Sequence, residues 1–213
     1  MLMKNFLRTP LKYSYYYATY IIIAVNLLMY AFTRLFPGTV QYLGLSVPGV
    51  LGAHFWFELV TYLFTHGSLM HVVLNMLCLF FFGVRVEKTV GSSEFLLLYF
   101  LCGIVGGAIS LALYYFTGTY NSILIGASGA VYSVLLVYAT LFPRSIISIW
   151  GIIPVPAPLL IIAYIVIEIV SQIFSTSNVA HFAHLIGFFV AWLYLVLRMA
   201  LNPISVWRNA WRR

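Results

Sequence analysis

The sequence predicts an all-α integral membrane protein: six transmembrane helices and a partly embedded first outer loop. Three observations predict it. Of 213 residues, 63% are hydrophobic and only 7% are charged, whereas a soluble domain carries about 25% charge. So few charges cannot cover a chain of this size in water. The apolar runs are helix-length and often exceed the roughly 18 residues of a bilayer span, which favours helices over a barrel. No polar segment is long enough for a separate soluble domain. Residues 1–213 therefore read as a single membrane domain, with a cytoplasmic segment 1–15, a helical core 16–200 and a basic tail 201–213.

The first span, 16–35, follows Lys4, Arg8 and Lys12. No small-residue cleavage site follows a short apolar region, so it reads as a retained helix and not a signal peptide. Segment 36–62 is broken by Pro37-Gly38, Pro48-Gly49 and Gly52, and Phe55-Trp56-Phe57 makes it interfacial. It is expected to form a partly embedded loop on one face. The remaining spans are 68–86, 94–115, 123–142, 158–175 and 180–200, with Pro154, Pro156 and Pro158 stiffening the approach to the fifth. Cys78 and Cys102 each lie in an apolar run and read as packing residues, not a disulfide. No repeat of the kind that marks many transporters is visible.

Orientation follows from lysine and arginine. With the N-terminus inside, Lys4, Arg8, Lys12, Arg85, Lys88, Arg144, Arg198, Arg208, Arg212 and Arg213 share the inner side, and only Arg34 falls outside. Both termini are then cytoplasmic. The net charge of +7 does not indicate nucleic acid, because the eleven basic residues sit at helix ends.

This topology brings polar residues to one depth. Ser128 falls in the outer half of the fourth span, His184 in the first turns of the sixth, and His66, His71 and Asn75 near the outer end of the second. Intramembrane polar residues are costly and face the bundle interior or water. A serine hydroxyl needs a base within hydrogen-bond reach, and His184 can serve. The chain has no aspartate, and its four glutamates are Glu58, Glu87, Glu94 and Glu168. Glu58 lies in the outer loop, Glu87 and Glu94 on the cytoplasmic side, and Glu168 within the fifth span. A Ser–His dyad is therefore the economical expectation, with Glu168 read as a partnered packing residue. Tyr132, one turn after Ser128, is placed to pack its ring against His184. His71 and Asn75 point the same way at i,i+4 and, with the backbone N–H of Ser128, offer donors for an oxyanion. Gly126 and Gly129, with Gly187 and Ala191, are expected to let two helices approach closely. His66 and His71 diverge by about 140° on an ideal helix unless the helix starts between them.

Together these residues resemble the rhomboid family of intramembrane serine proteases. The resemblance rests on His66-Gly67-Ser68-Leu69-Met70-His71-Val72-Val73-Leu74-Asn75, Gly126-Ala127-Ser128-Gly129 and Ala183-His184-Leu185-Ile186-Gly187. They match the patterns H-x4-H-x3-N, G-x-S-G and A-H-x-x-G in order, and the likeness covers about residues 55–195. It implies a six-helix rhomboid-like bundle with a cavity open to the outside. It makes Ser128 the nucleophile and His184 the general base and acid. His71 and Asn75 would hold the oxyanion and Tyr132 would support the His184 ring. Substrates would be single-span membrane proteins cut at small residues where the helix unwinds easily, with the fifth span and outer loop gating access. No cofactor and no metal are expected. Many members carry Trp-Arg in the first outer loop, where this chain has Trp56-Phe57-Glu58.

Two other readings compete. A non-catalytic rhomboid-like protein would bind membrane clients without cutting them. A metal or haem protein would use His181 and His184 at i,i+3, but leaves Gly126-Ala127-Ser128-Gly129 without a role. The small size suggests a bacterial inner-membrane protein. Oligomeric state is not legible.

Overall fold

A computed structural model describes Arg8, Thr9 and residues 11–149, 151–174 and 179–212. Lys4 and Arg213 of the orientation argument lie outside these residues. Seven main helices run α1 Ala18–Leu35, α2 Leu69–Val90, α3 Ser92–Phe116, α4 Ser128–Leu141, α5 Ala157–Phe174, α6 Val179–Leu197 and α7 Pro203–Ala210. Helices α1, α2, α3 and α5 are long and apolar enough to cross a membrane; α4 and α6 are apolar but shorter. The chain is an integral membrane protein built from these apolar helices.

Buried carboxylates fasten the end of the bundle where α1 begins. Glu87 accepts from the N–H groups of Ala18 and Thr19 at 2.6 and 2.9 Å, and from Thr19 Oγ1 at 2.6 Å. An anion at a helix N-terminus satisfies orphan donors and complements the helix dipole. Nearby, Glu94 forms a two-pronged pair with Arg198 at 2.8 and 2.9 Å, joining α3 to the end of α6. The forked geometry suits guanidinium and carboxylate.

The loop between α1 and α2 is more ordered than its turn residues suggest. It contains a one-turn π-helix at Pro48–Gly52, a short helix at Glu58–Thr61 and strand β1, Leu45–Ser46. Strand β1 pairs antiparallel with β2, Ile123–Leu124, in the register Leu45↔Leu124 and Ser46↔Ile123. Glu58, placed in the partly embedded outer loop from sequence, is buried and accepts from Ser46 N at 2.9 Å.

That pairing corrects the fourth span. The apolar run predicted a helix over 123–142, but α4 begins at Ser128. Gly126 has φ +116°, which ends any continuous helical path from the extended residues before it. At 14 residues, α4 spans about 21 Å, short of the ~30 Å hydrocarbon core. Leu124, Gly126 and Ala127, before α4, are buried in protein, where non-helical backbone is tolerated.

Helix α4 is largely enclosed. Residues Ser133 to Thr140 are all buried, packed against α3 on one side and α6 on the other. Two further elements escaped the sequence reading. Strands β3 (Ile146–Ile149) and β4 (Ile153–Pro156) form a hairpin before α5. The basic tail folds as α7, with Asn202 capping its first turn and Pro203 at the first helical position. Trp207 Nε1 donates to Ala139 O at 3.0 Å, docking α7 on α4. Cys78 and Cys102 are both free thiols.

Candidate active site

The start of α4 determines where Ser128 points. As the first residue of the helix, its backbone N–H lacks an intrahelical acceptor, as do the next N–H groups. The positive end of the helix dipole faces the same space. Gly126 N donates to Tyr62 O at 2.9 Å, so the outer loop holds the turn that presents the serine.

His184 Nε2 lies 2.8 Å from Ser128 Oγ. The Tyr132 ring stacks on the His184 ring with centroids 4.4 Å apart and planes 7° from parallel. The expected packing of Tyr132 on His184 is thus what the structure contains. Close approach of α4 and α6 makes it possible. A Cβ on Gly187 would fall 2.3 Å from Gly129 O, closer than any real contact. Ser133 Oγ lies 2.9 Å from the carbonyl oxygens of both Gly129 and Gly187. Ala191, the next small position on α6, is fully buried.

Gly126 has a different use from the one expected. It precedes the helix and takes no part in helix–helix packing. A Cβ there would stand 2.6 Å from His71 Cε1 and 2.7 Å from Nε2. Its missing side chain makes room for the His71 ring beside Ser128.

Helix α2 begins at Leu69, between His66 and His71, with Ser68 as N-cap accepting from His71 N at 3.1 Å. This start lets the two imidazoles meet edge to face at 5.0 Å despite their unfavourable helical spacing. Asn75 is buried, and its Nδ2 donates back to His71 O at 3.0 Å. The structure therefore brings His71 to Ser128 and leaves the Asn75 amide turned to its own helix.

His66, outside the membrane-spanning helices, is only 2% exposed. Burial first, and the neighbouring His71 ring second, hold its pKa down to about 4. Its neutral Nε2 accepts from Ala127 N at 3.5 Å, bracing the residue before Ser128. Because the folded value lies below the ordinary imidazole value of 6.5, the stability this group contributes is complete above about pH 6.5. It is lost as pH falls toward about 4. Thermal melts of detergent-solubilised protein across that window are expected to fall with acidification, and to fall less in His66→Gln.

One residue was underrated from sequence. Glu168 on α5 is 5% exposed and lies against both histidines of α6. Its Oε1 is 3.0 Å from His184 Nδ1, and its Oε2 is 2.6 Å from His181 Nδ1. Tyr132 OH donates to Oε1 at 2.7 Å. Glu168, His181 and His184 also form a group whose ligand atoms lie within 4.8 Å of one another. A lone carboxylate in an otherwise apolar span is the sequence signal that marks it.

The family model for the Rhomboid domain matches residues 52–201. The chain belongs to the rhomboid family. The matched stretch contains every side chain just described around Ser128. This rhomboid is 34% identical over 147 residues to RHOMBOID-like protein 12, mitochondrial, of Arabidopsis thaliana, covering 62% of this chain and 44% of the relative. It is 29% identical over 180 residues to Rhomboid protease GluP of Bacillus subtilis, covering 81% of this chain and 34% of that protein. It is 31% identical over 83 residues to Putative rhomboid protease YdcA of the same organism, covering 39% and 40% of the two chains. These matches thus span less than half the length of each relative.

Proposed function

We propose that this rhomboid is an intramembrane serine endopeptidase that hydrolyses peptide bonds in or near the transmembrane segments of membrane proteins. The observation that carries the reading is the 2.8 Å contact between His184 Nε2 and Ser128 Oγ. His184 takes the hydroxyl proton as Ser128 Oγ attacks the scissile carbonyl. The carbonyl oxygen becomes an oxyanion, held by the backbone N–H of Ser128 at the α4 N-terminus and by His71, with Asn75 able to join if its amide turns from His71 O. His184 then gives the proton to the leaving amine. Water, activated by the same imidazole, releases the acyl-enzyme.

The cavity lined by Tyr62, Cys102, Gly126, Ser128 and Ala183 holds about 10 Å³, roughly one water molecule. A peptide therefore needs movement of a neighbouring element to reach Ser128. We assign that movement to α5 and the outer loop, with α5 back in place against α4 and α6 for the chemical step. We further propose six bilayer spans, including α4 and α6, with both termini cytoplasmic, an extracytoplasmic site and a bacterial inner membrane as location.

Purified protein reconstituted in liposomes with a single-span reporter carrying small, helix-destabilising residues is expected to yield two fragments cut within or beside the span. Stable capture of intact reporter with no fragments would instead favour the client-binding reading, which the naming of several relatives as rhomboid-like, without mention of proteolysis, keeps in view.

A further inference from the structure

Glu168 is the one charged residue in α5, whose sequence is otherwise almost wholly apolar. Removing a carboxylate from water costs several kcal/mol, so its partners matter. Among the described residues three side chains meet it: Tyr132 OH at 2.7 Å, His184 Nδ1 at 3.0 Å and His181 Nδ1 at 2.6 Å. Tyr132 and His184 share Oε1, and His181 holds Oε2. The carboxylate is thereby pinned from two helices, α4 and α6, while its own stem comes from a third.

From this geometry we infer that Glu168 is the positioning residue of a Ser128–His184–Glu168 relay, built across α4, α6 and α5, with His181 and Tyr132 fixing the carboxylate. The inference rests on the protease reading of Ser128 and His184. A carboxylate accepts hydrogen bonds, so neutral His184 must carry its proton on Nδ1 to meet Oε1. That tautomer leaves a lone pair on Nε2, aimed at Ser128 Oγ 2.8 Å away. When the hydroxyl proton moves to Nε2, His184 becomes an imidazolium between the developing oxyanion side and a fixed negative charge. Glu168 keeps its charge throughout and takes no proton. The Tyr132 ring, stacked on His184, blocks ring rotation on one face while its hydroxyl holds the same oxygen. Each of these contacts restricts His184 to the orientation and tautomer that the proton transfer needs. Tethering Tyr132 to Glu168 makes the stacking ring and the carboxylate one unit, so neither moves without the other.

The test compares Glu168→Gln, Glu168→Asp, His181→Ala and Ser128→Ala with the unmodified protein in liposomes, reading kcat and KM on the reporter. Glutamine keeps the shape, but its NH2 can face His184 Nδ1 and stabilise the unproductive Nε2–H tautomer. Glu168→Gln is expected to lower kcat by about 10²–10⁴-fold, as removal of a triad carboxylate does elsewhere, with KM changed less than about threefold. Fluorophosphonate labelling of Ser128 is expected to slow in parallel. Glu168→Asp is expected to restore part of kcat, and His181→Ala to cause a smaller loss. Unchanged kcat in Glu168→Gln beside an inactive Ser128→Ala would overturn this inference and leave the protease reading standing. Retained cleavage in Ser128→Ala would overturn both. A measurement on the unmodified protein covers the case of variants that fail to fold: ¹⁵N-histidine NMR at neutral pH is expected to show His184 protonated on Nδ1, and an Nε2–H tautomer would contradict the relay.

Discussion

Ser128→Ala is expected to reduce cleavage of a transmembrane reporter by ~10³-fold or more while leaving the fold intact. The magnitude follows from what the hydroxyl does. In the proposed mechanism it supplies the bond to the acyl group, and no other side chain at the start of α4 can replace it. Removing a triad member elsewhere leaves only the residual rate that oxyanion binding provides. The structural cost is small. Ser128 is half-buried at the first position of α4. Among the described residues the lost hydrogen bond is the one to His184 Nε2, so stability is expected to shift by about 1 kcal/mol or less. His184→Ala is expected to cost a similar factor, and the double variant little more than either, because the two groups act as one unit. Reporter cleavage and thermal unfolding, measured on the same preparations, separate chemistry from folding.

Gly187→Ala is expected to have a large effect although it touches no reacting group. The added methyl would lie 2.3 Å from Gly129 O and 3.1 Å from its carbonyl carbon. Backbone cannot turn aside as a side chain can, so α4 and α6 must separate. Overpacking of this kind costs about 1–3 kcal/mol. The functional loss is expected to exceed the stability loss. Ser128 sits one residue before Gly129, and His184 three residues before Gly187. Parting the helices by even half an ångström lengthens the 2.8 Å contact, and misplacements of about 1 Å cost on the order of 10²-fold in rate. The contrasting change is Gly129→Ala. Its methyl would meet Ala183 O at 3.6 Å, an ordinary contact, so a much milder effect is expected in both assays. Equal effects of the two substitutions would show that small size at these positions, not the particular crossing point, is what matters.

Much of this site was readable from residue spacing because its members lie on helix faces. The i,i+4 relation of Ser128 and Tyr132 put both toward α6, and His184 falls where that face leads. Other features depended on where helices begin. His66 and His71 meet because Ser68 caps α2 between them, a start that apolar periodicity did not resolve. The run 123–142 looked like one span because hydropathy does not register Gly126 at positive φ or the pairing of Ile123–Leu124 with Leu45–Ser46. Glu168 was hardest to read. Its partners are 13, 16 and 36 residues away on neighbouring helices, so only tertiary packing reveals the bridge. The absence of aspartate had argued for a dyad, yet a glutamate from α5 occupies the place a third member would take.

The proposed function stands on Ser128 as a nucleophile activated by His184. The most direct measurement is treatment of membranes containing the protein with a fluorophosphonate, followed by mass spectrometry of the peptide spanning Ser128. A covalent adduct is expected on Ser128, absent in Ser128→Ala and strongly diminished in His184→Ala. Full labelling of Ser128 in His184→Ala, or no labelling of folded, unmodified protein at any accessible concentration, would contradict it.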